Sequence, residues 1–273
     1  MKGLPILSVL ILGLCLRCQA ADVTLPQSTT SPGGRKLVWA DEFDKAGLPD
    51  TAKWTYQTGG NGWGNNEKQF YTSQRPENAR IENGKLIIEA RKEAYQGNNY
   101  TSARLLTRGK QTWTYGRIDV RAKLPKGVGT WPAIWMLGTN LTRVGWPLGG
   151  EIDIMEHVGF DEGVVHGTIH SEAYNHIKKT EKGGSVIITD VTTAFHTYAI
   201  DWTADQIDFY VDEKKYYSVQ KATLGSSEAQ WPFDQPFYLL LNVAVGGNWG
   251  GQKGIDESIW PQRMEVDYVR VYQ

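Results

Sequence analysis

The stretch Gly149-Gly-Glu-Ile-Asp-Ile-Met-Glu-His-Val-Gly159 crowds three acids into a few residues. Glu151 and Asp153 are two apart, so in a strand they share one face while Ile152 and Ile154 point to the other. Glu156 lies five residues from Glu151, which places it on the wrong face of a regular strand. Met155 is the surplus residue. A β-bulge around Ile154–Met155 restores parity and lines up all three acids. Like charges on one face repel, and each carboxylate raises the pKa of the next. A carboxyl that keeps its proton near neutrality is what a general acid requires. Two blander readings stay open at this level. One is an exposed strand carrying solvated acids. The other is a Ca²⁺ cluster, although three acids on one strand lack the looped geometry such sites favour.

The elements that must position these acids are strands. In Arg117-Ile-Asp-Val-Arg-Ala-Lys-Leu124 charged and apolar residues alternate strictly, which predicts one wet and one buried face. Lys85–Arg91, Thr197–Trp202 and Gln206–Asp212 read the same way. Phe237-Tyr-Leu-Leu-Leu-Asn-Val-Ala-Val245 is an apolar run that predicts a central strand. No 12-residue window carries a convincing helical period. Gly, Asn and Pro punctuate the gaps, so the fold class is all-β, a two-sheet sandwich of jelly-roll type.

Composition agrees. The 273 residues include 11 Trp, 13 Tyr and 30 Gly, and 29 basic residues offset 30 acidic ones. A net charge of −1 gives no field for gripping nucleic acid or an anionic membrane. Met1-Lys2, the apolar run Leu4 to Leu16 and Cys18-Gln19-Ala20 read as a secretory signal over residues 1–20, cleaved before Ala21. The run is short for a membrane span. Leu14 is a poor neighbour for lipid anchoring at Cys15. Both cysteines fall in this segment, so the mature chain has neither disulfides nor cysteine chemistry, and its charge moves from −1 to −3 with the loss of Lys2 and Arg17. Residues 21–35 read as a flexible linker, and 36–273 as one domain.

Glu151-Ile-Asp-Ile-Met-Glu156 resembles the active-site motif of glycoside hydrolase family 16, in its laminarinase-like endo-1,3-β-glucanase branch. Met155 resembles that branch in particular. Trp39-Ala-Asp-Glu-Phe43, Gly62-Trp-Gly-Asn-Asn-Glu67, Trp131-Pro-Ala-Ile-Trp-Met-Leu-Gly138, His166-Gly-Thr-Ile-His170, Gly246-Gly-Asn-Trp-Gly250 and Val266-Asp-Tyr-Val-Arg-Val-Tyr272 resemble family stretches in the family's order. The resemblance implies a concanavalin-like β-jelly-roll sandwich of two antiparallel sheets with a concave glycan-binding cleft. It implies Glu151 as nucleophile, Glu156 as acid/base and Asp153 as the group between them that holds the protonation states. Retention requires the outer carboxyls about 5–5.5 Å apart.

Sugar rings have apolar faces and polar rims, so a cleft needs flat rings, amides and charges. On the family match, Trp131, Trp135 and Trp249 are expected to line the cleft with Asn66, Glu67 and Arg104, while Trp39, Trp54 and Trp202 are expected in the core. His166 and His170 share a face; a Zn²⁺ pair lacks a clear third ligand, and His170 is expected to hydrogen-bond in the cleft. The resemblance also implies a structural Ca²⁺ on the convex side, near Glu42, Gly84 and Asp267, with no cofactor for catalysis.

These readings converge on a secreted, monomeric, retaining endo-β-1,3-glucanase with a β-glucan polysaccharide as partner. They predict no nucleic-acid partner, and no membrane association once the signal is cleaved. A non-catalytic β-glucan recognition protein of the same fold is the rival from another class. Such relatives typically lack the acidic pair, whereas this chain keeps Glu151, Asp153 and Glu156. Mixed-linkage 1,3-1,4-glucan is the rival substrate.

Overall fold

The computed structural model describes Met1, residues 30–31 and residues 33–273. Apart from Met1, the expected signal segment lies outside the described residues. So do both cysteines and most of the expected linker.

Among the described residues, sixteen strands follow one another with two single-turn helices. They are β1 (Leu37–Asp41), β2 (Thr55–Tyr56), β3 (Gln69–Thr72), β4 (Ala79–Glu82), β5 (Lys85–Tyr95), β6 (Asn98–Leu106), β7 (Gly116–Lys123) and β8 (Thr130–Gly138). After α1 (Leu141–Val144) come β9 (Glu151–Glu156), β10 (Val164–His170), β11 (Lys182–Ile187), β12 (His196–Trp202), β13 (Gln206–Val211) and β14 (Lys214–Gln220). α2 (Lys221–Leu224), β15 (Phe237–Val245) and β16 (Gln262–Tyr272) complete the chain.

Pairing runs β11-β10-β9-β8-β15-β6, crosses from β6 to β5, and continues β16-β7-β12-β13-β14. The first six strands form one layer and the rest fold back over it as the second. The far edges β11 and β14 meet, so the sandwich is nearly closed. All pairings are antiparallel except that of short β3, which runs parallel to β6. The expected all-β jelly roll of two layers is what the chain adopts.

The layers are joined by alternation. Ile152 and Ile154 of β9, Ile134 and Met136 of β8 and Leu239, Leu241 and Val243 of β15 point inward. Ile118, Val120 and Ala122 of β7 and Tyr198, Ile200 and Trp202 of β12 meet them from the other layer. Trp54 and Trp202 are fully buried and Trp39 packs against the same core, as expected. All nine residues of β15 are buried, which explains its unbroken apolar run. Its second face, Tyr238, Leu240 and Asn242, lies beneath the side chains of β8 and β6 and not in water.

The predicted wet face of β7 is partly covered. Arg117 and Asp119 are buried, and Arg117 Nε–H donates to Asp119 Oδ1 at 2.7 Å. The Tyr210 ring of β13 lies against the Arg117 guanidinium, 5.0 Å away, and accounts for the cover.

The bulge falls where parity demands it. Along β8 the partners are Leu137↔Glu151, Met136↔Ile152 and Trp135↔Asp153, then Ile134↔Met155 and Ala133↔Glu156. On the other side His170 faces Glu151, Thr168 faces Asp153 and His166 faces Glu156. Ile154 and Met155 together span one partner position, and both are buried. Gly167 lies opposite them, and a Cβ there would come within 2.6 Å of the Phe209 ring. The second layer thus comes close beneath the bulged pair, and Met155 is fully buried there. Truncation by Met155→Ala should cost about 2–5 kcal/mol, as for other fully buried Met side chains. Urea denaturation measures it; a loss below about 1 kcal/mol would show that Met155 does not fix the bulge.

Candidate active site

With parity restored, Glu151, Asp153 and Glu156 project from the outer, concave face of the first layer. Each end of the row is held by an indole. Trp146 Nε1–H donates to Glu151 Oε2 at 2.9 Å, and Trp131 Nε1–H donates to Glu156 Oε1 at 3.0 Å. His170 sits across the strand pair with its Nε2 3.3 Å from Asp153 Oδ2 and 4.0 Å from Glu151 Oε1. It therefore lies beside the carboxyls. His166 stands at the opposite end of the row, facing Glu156, with its ring 5.0 Å from that of Trp249. The two histidines are too far apart along β10 to chelate one ion, so the Zn²⁺ pair fails on geometry. Ligand atoms of Glu151, Asp153 and His170 lie within 4.8 Å of one another, a spacing a metal could also use.

Burial dominates the protonation of the row. It raises Glu151 to about 8, with the Asp153 charge as the next cause. It holds Asp153 well above the ordinary carboxyl range and raises Glu156 to about 7, below Glu151. The row therefore does not carry three negative charges at neutral pH. Neighbours decide where the remaining charge rests. His170, the Trp146 N–H and Arg104 all favour ionised Glu151. Glu156 also feels His170 and its own indole, but the charges of Glu151 and Glu67 oppose its ionisation. Burial and the Glu156 charge both hold the proton on Asp153. Once Asp153 keeps its proton, its repulsion of Glu151 disappears. With Asp153 charged, Glu156 would ionise before Glu151; a charged Glu151 beside a protonated Glu156 therefore depends on Asp153 keeping its proton.

The walls continue along β8. Trp135 Nε1–H donates to Asn242 Oδ1 at 2.7 Å, and Asn242 Nδ2–H donates to the Tyr71 hydroxyl at 3.0 Å. Tyr71 donates to Glu67 Oε2 at 3.2 Å, and Gln69 and Asn65 also donate to Glu67. Glu67, expected as a substrate contact, is thus buried within this network. Arg104 is buried too, its guanidinium 4.5 Å from the Trp135 ring centre and 4.9 Å from that of Trp63. Its Nε has no acceptor. Asn66 is exposed and donates to Asn248 Oδ1 at 2.7 Å. Trp249 sets its ring edgewise to Trp131, 5.7 Å away. Gly247 permits this: its φ is +84° and a Cβ would lie 3.1 Å from the Trp131 ring.

Several residues escaped the sequence reading. Trp146 stands in the turn Trp146-Pro-Leu-Gly-Gly150 that feeds β9, and that adjacency to Glu151 was its available signal. Trp63 lay inside a quoted Gly-Trp-Gly stretch but was not singled out. His176 follows β10 in an irregular loop, where no period marks it; its ring stacks 5.0 Å from that of Trp146.

On the convex side, β1 and β5 both pair with the same edge of β16, one at Asp41↔Val269 and the other at Leu86↔Val266. Glu42 directly follows β1, Gly84 directly precedes β5, and Asp267 lies on β16 between the two pairings. Arg270 donates to both Glu42 oxygens at 2.9 Å, and Arg121 donates to Asp267 Oδ2 at 2.5 Å. Both carboxylates thus already answer guanidinium groups, and a Ca²⁺ bound there would have to displace them.

Comparison with known proteins places this architecture. Residues 66–270 match the family described as Glycosyl hydrolases family 16. The chain is 57% identical over 243 residues to a beta-glucanase of Rhodothermus marinus, covering 87% of this chain and 85% of that protein. The solved laminarinase from Rhodothermus marinus superposes with a TM-score of 0.86 at 56% identity, covering 88% of this chain and 97% of that one. SCLam, a non-specific endo-beta-1,3(4)-glucanase of the same family, superposes with a TM-score of 0.84 at 51% identity, over 89% of this chain and 92% of that one.

A prediction follows from the buried row. Carboxyl pKa values raised by folding mean that the folded state binds protons more tightly than the unfolded one. That stability is complete below the ordinary carboxyl pKa of about 4.3 and is lost as pH rises toward the folded value. Glu151→Gln removes the charge that burial opposes. It should raise the melting temperature above the parent's, by a margin that widens from pH 5 to pH 8 to the order of 1–3 kcal/mol. Melting curves at the two pH values test this; a constant or shrinking margin contradicts it.

Proposed function

The chain belongs to glycosyl hydrolase family 16, and from that premise we propose that it is an endo-1,3-β-glucanase that works with retention of anomeric configuration. The observation that carries the reading is the row of carboxyls on one bulged strand, buried at Asp153 and half-buried at its two ends, each end held by an indole N–H group. The concave face crosses six strands, about 24 Å at the usual strand spacing. A groove of that length suits internal cleavage of a polymer.

Glu151, ionised, attacks the anomeric carbon while Glu156 gives its proton to the departing glycosidic oxygen. The bond to the leaving sugar breaks as the bond to Glu151 Oε forms, which leaves a covalent glycosyl-enzyme and a charged Glu156. Glu156 then takes a proton from water, whose oxygen displaces Glu151 from the same face as the departed sugar. Asp153 holds a proton against Glu151 and limits repulsion along the row. The Trp146 N–H fixes the attacking carboxylate, and the Trp131 N–H fixes the donor. Two carboxyls and water complete the reaction without a cofactor. Trp131, Trp135 and Trp249 offer ring faces to sugars. The Arg104 Nε without an acceptor supports a role in binding hydroxyls, and Asn66 offers an exposed amide. Buried Glu67 acts behind the wall by fixing Tyr71 and, through it, Asn242 and Trp135.

A second substrate reading, mixed-linkage 1,3-1,4-glucan, is favoured by the similarity to SCLam. Side-by-side digestion of laminarin and lichenan separates them: faster chain scission of laminarin supports the 1,3 preference, and equal rates replace it with the broader one.

We further propose that the protein is secreted as a monomer through the segment 1–20, and that a structural Ca²⁺ joins Glu42, Gly84 and Asp267. Chelation with EDTA should then lower the melting temperature by several degrees and leave the rate per folded molecule unchanged; an unmoved melting curve would remove the calcium assignment.

The roles of the two glutamates are separable by leaving group. Glu156→Ala should lose about 10²–10⁴-fold on laminarin, which needs proton donation, and far less in the first step with an aryl glycoside. Glu151→Ala should abolish turnover of both. With azide and an activated donor, Glu156→Ala should yield the β-azide and Glu151→Gly the α-azide. Product NMR reads the anomer; exchanged anomers would exchange the roles.

A further inference from the structure

Past the Asn66–Asn248 hydrogen bond lies a second hollow of about 670 Å³, outside the carboxylate groove. One side is the turn between β5 and β6, at Gly97–Tyr100; the other is the glycine-rich loop that follows β15. We propose that this hollow binds a glycosyl branch carried on the main chain of the glucan. The proposal rests on the glucanase reading above and adds a specificity site to it.

Position is the first argument. The groove over Asp153 and Trp135 crosses the strands from side to side. The hollow sits at the strand ends, where Gly246 follows β15 and Asn98 opens β6. A linear chain in the groove would pass it without entering. A substituent on a main-chain hydroxyl that points along the strands would reach it over the Asn66–Asn248 sill. In 1,3-linked glucan the free O6 sits on a flexible exocyclic arm suited to that path.

Chemistry is the second. Four asparagines, Asn66, Asn98, Asn99 and Asn248, line the hollow. An amide both donates and accepts, and so matches hydroxyl groups in either orientation. The charges do not build an ion site: Glu257 at the lip is paired with Lys92 at 2.7 Å, which leaves Lys68 as the one cation of the lining. Glycines at 246 and 247 carry no side chain into the space, and both adopt positive φ. The volume lies within the range of about 300–1,000 Å³ typical of small-ligand sites. A neutral polyhydroxyl group fits this lining better than an anion or an apolar ligand.

The test uses two 1,3-β-glucan oligosaccharides of equal main-chain length, one linear and one with a single 6-O-glucosyl branch. Binding is measured by calorimetry on Glu151→Gln, and kcat/KM on the parent. The parent should favour the branched ligand about tenfold, the worth of one or two net hydrogen bonds. Asn99→Trp and Glu257→Trp, at opposite lips, should each fill the hollow, erase that preference and leave the linear substrate within about twofold. Two variants guard against a folding failure in one, with melting curves as the control. Equal treatment of the two ligands by the parent, or an unchanged preference in both folded variants, overturns the proposal. Failure of the parent to cleave the linear oligosaccharide would overturn the glucanase reading instead.

Discussion

Three carboxyls in a row must be buried and still share their protons unequally. That constraint organises the molecule. A regular strand would turn Glu156 into the core, so β9 carries an extra residue. The extra residue needs apolar space beneath it, so Ile154 and Met155 are packed where the second layer comes close. Gly167 lacks a side chain because Phe209 and Tyr216 already occupy the room. The sandwich core and the acid row are consequences of one bulge.

Fixing the row requires partners that do not cancel it. A close Arg or Lys would hold all three acids ionised. The row is given indole N–H groups and His170 instead, with the Arg104 cation set back between two Trp rings. These favour charge at Glu151, while the charges of Glu151 and Glu67 oppose it at Glu156. Behind the wall, the chain Glu67–Tyr71–Asn242–Trp135 links a buried carboxyl to a half-buried ring. A groove floor built this way meets a sugar with little reorganisation, which is where much of catalytic efficiency resides.

Much of this was legible in the residues. Strict alternation in 117–124 and the apolar run 237–245 located β7 and β15, and the parity of Glu151, Asp153 and Glu156 located the bulge. What stayed hidden depends on long-range contact. Nothing local says that Arg117 lies against Tyr210, or that Asp119 is buried beside it. The crossing from β6 to β5 that joins the layers, and the parallel course of β3, are set by tertiary pairing. Trp146 and His176 come from irregular loops, where residue type carries no directional information. Glu67 and Arg104 were recognised as belonging to the site, yet only the packing reveals that both are buried.

The central claim is that burial leaves the row short of full ionisation, and that a proton held on Asp153 lets Glu151 ionise while Glu156 keeps its own. Carboxyl ¹³C NMR on protein labelled at Glu and Asp, titrated from pH 3 to pH 9, tests it directly, with Glu151→Gln, Asp153→Asn and Glu156→Gln to assign the signals. The account predicts that Asp153 stays protonated at neutral pH and that Glu151 ionises before Glu156. Three carboxyls titrating together near the ordinary value of about 4, or Glu151 holding its proton after Glu156 has lost its own, would contradict it.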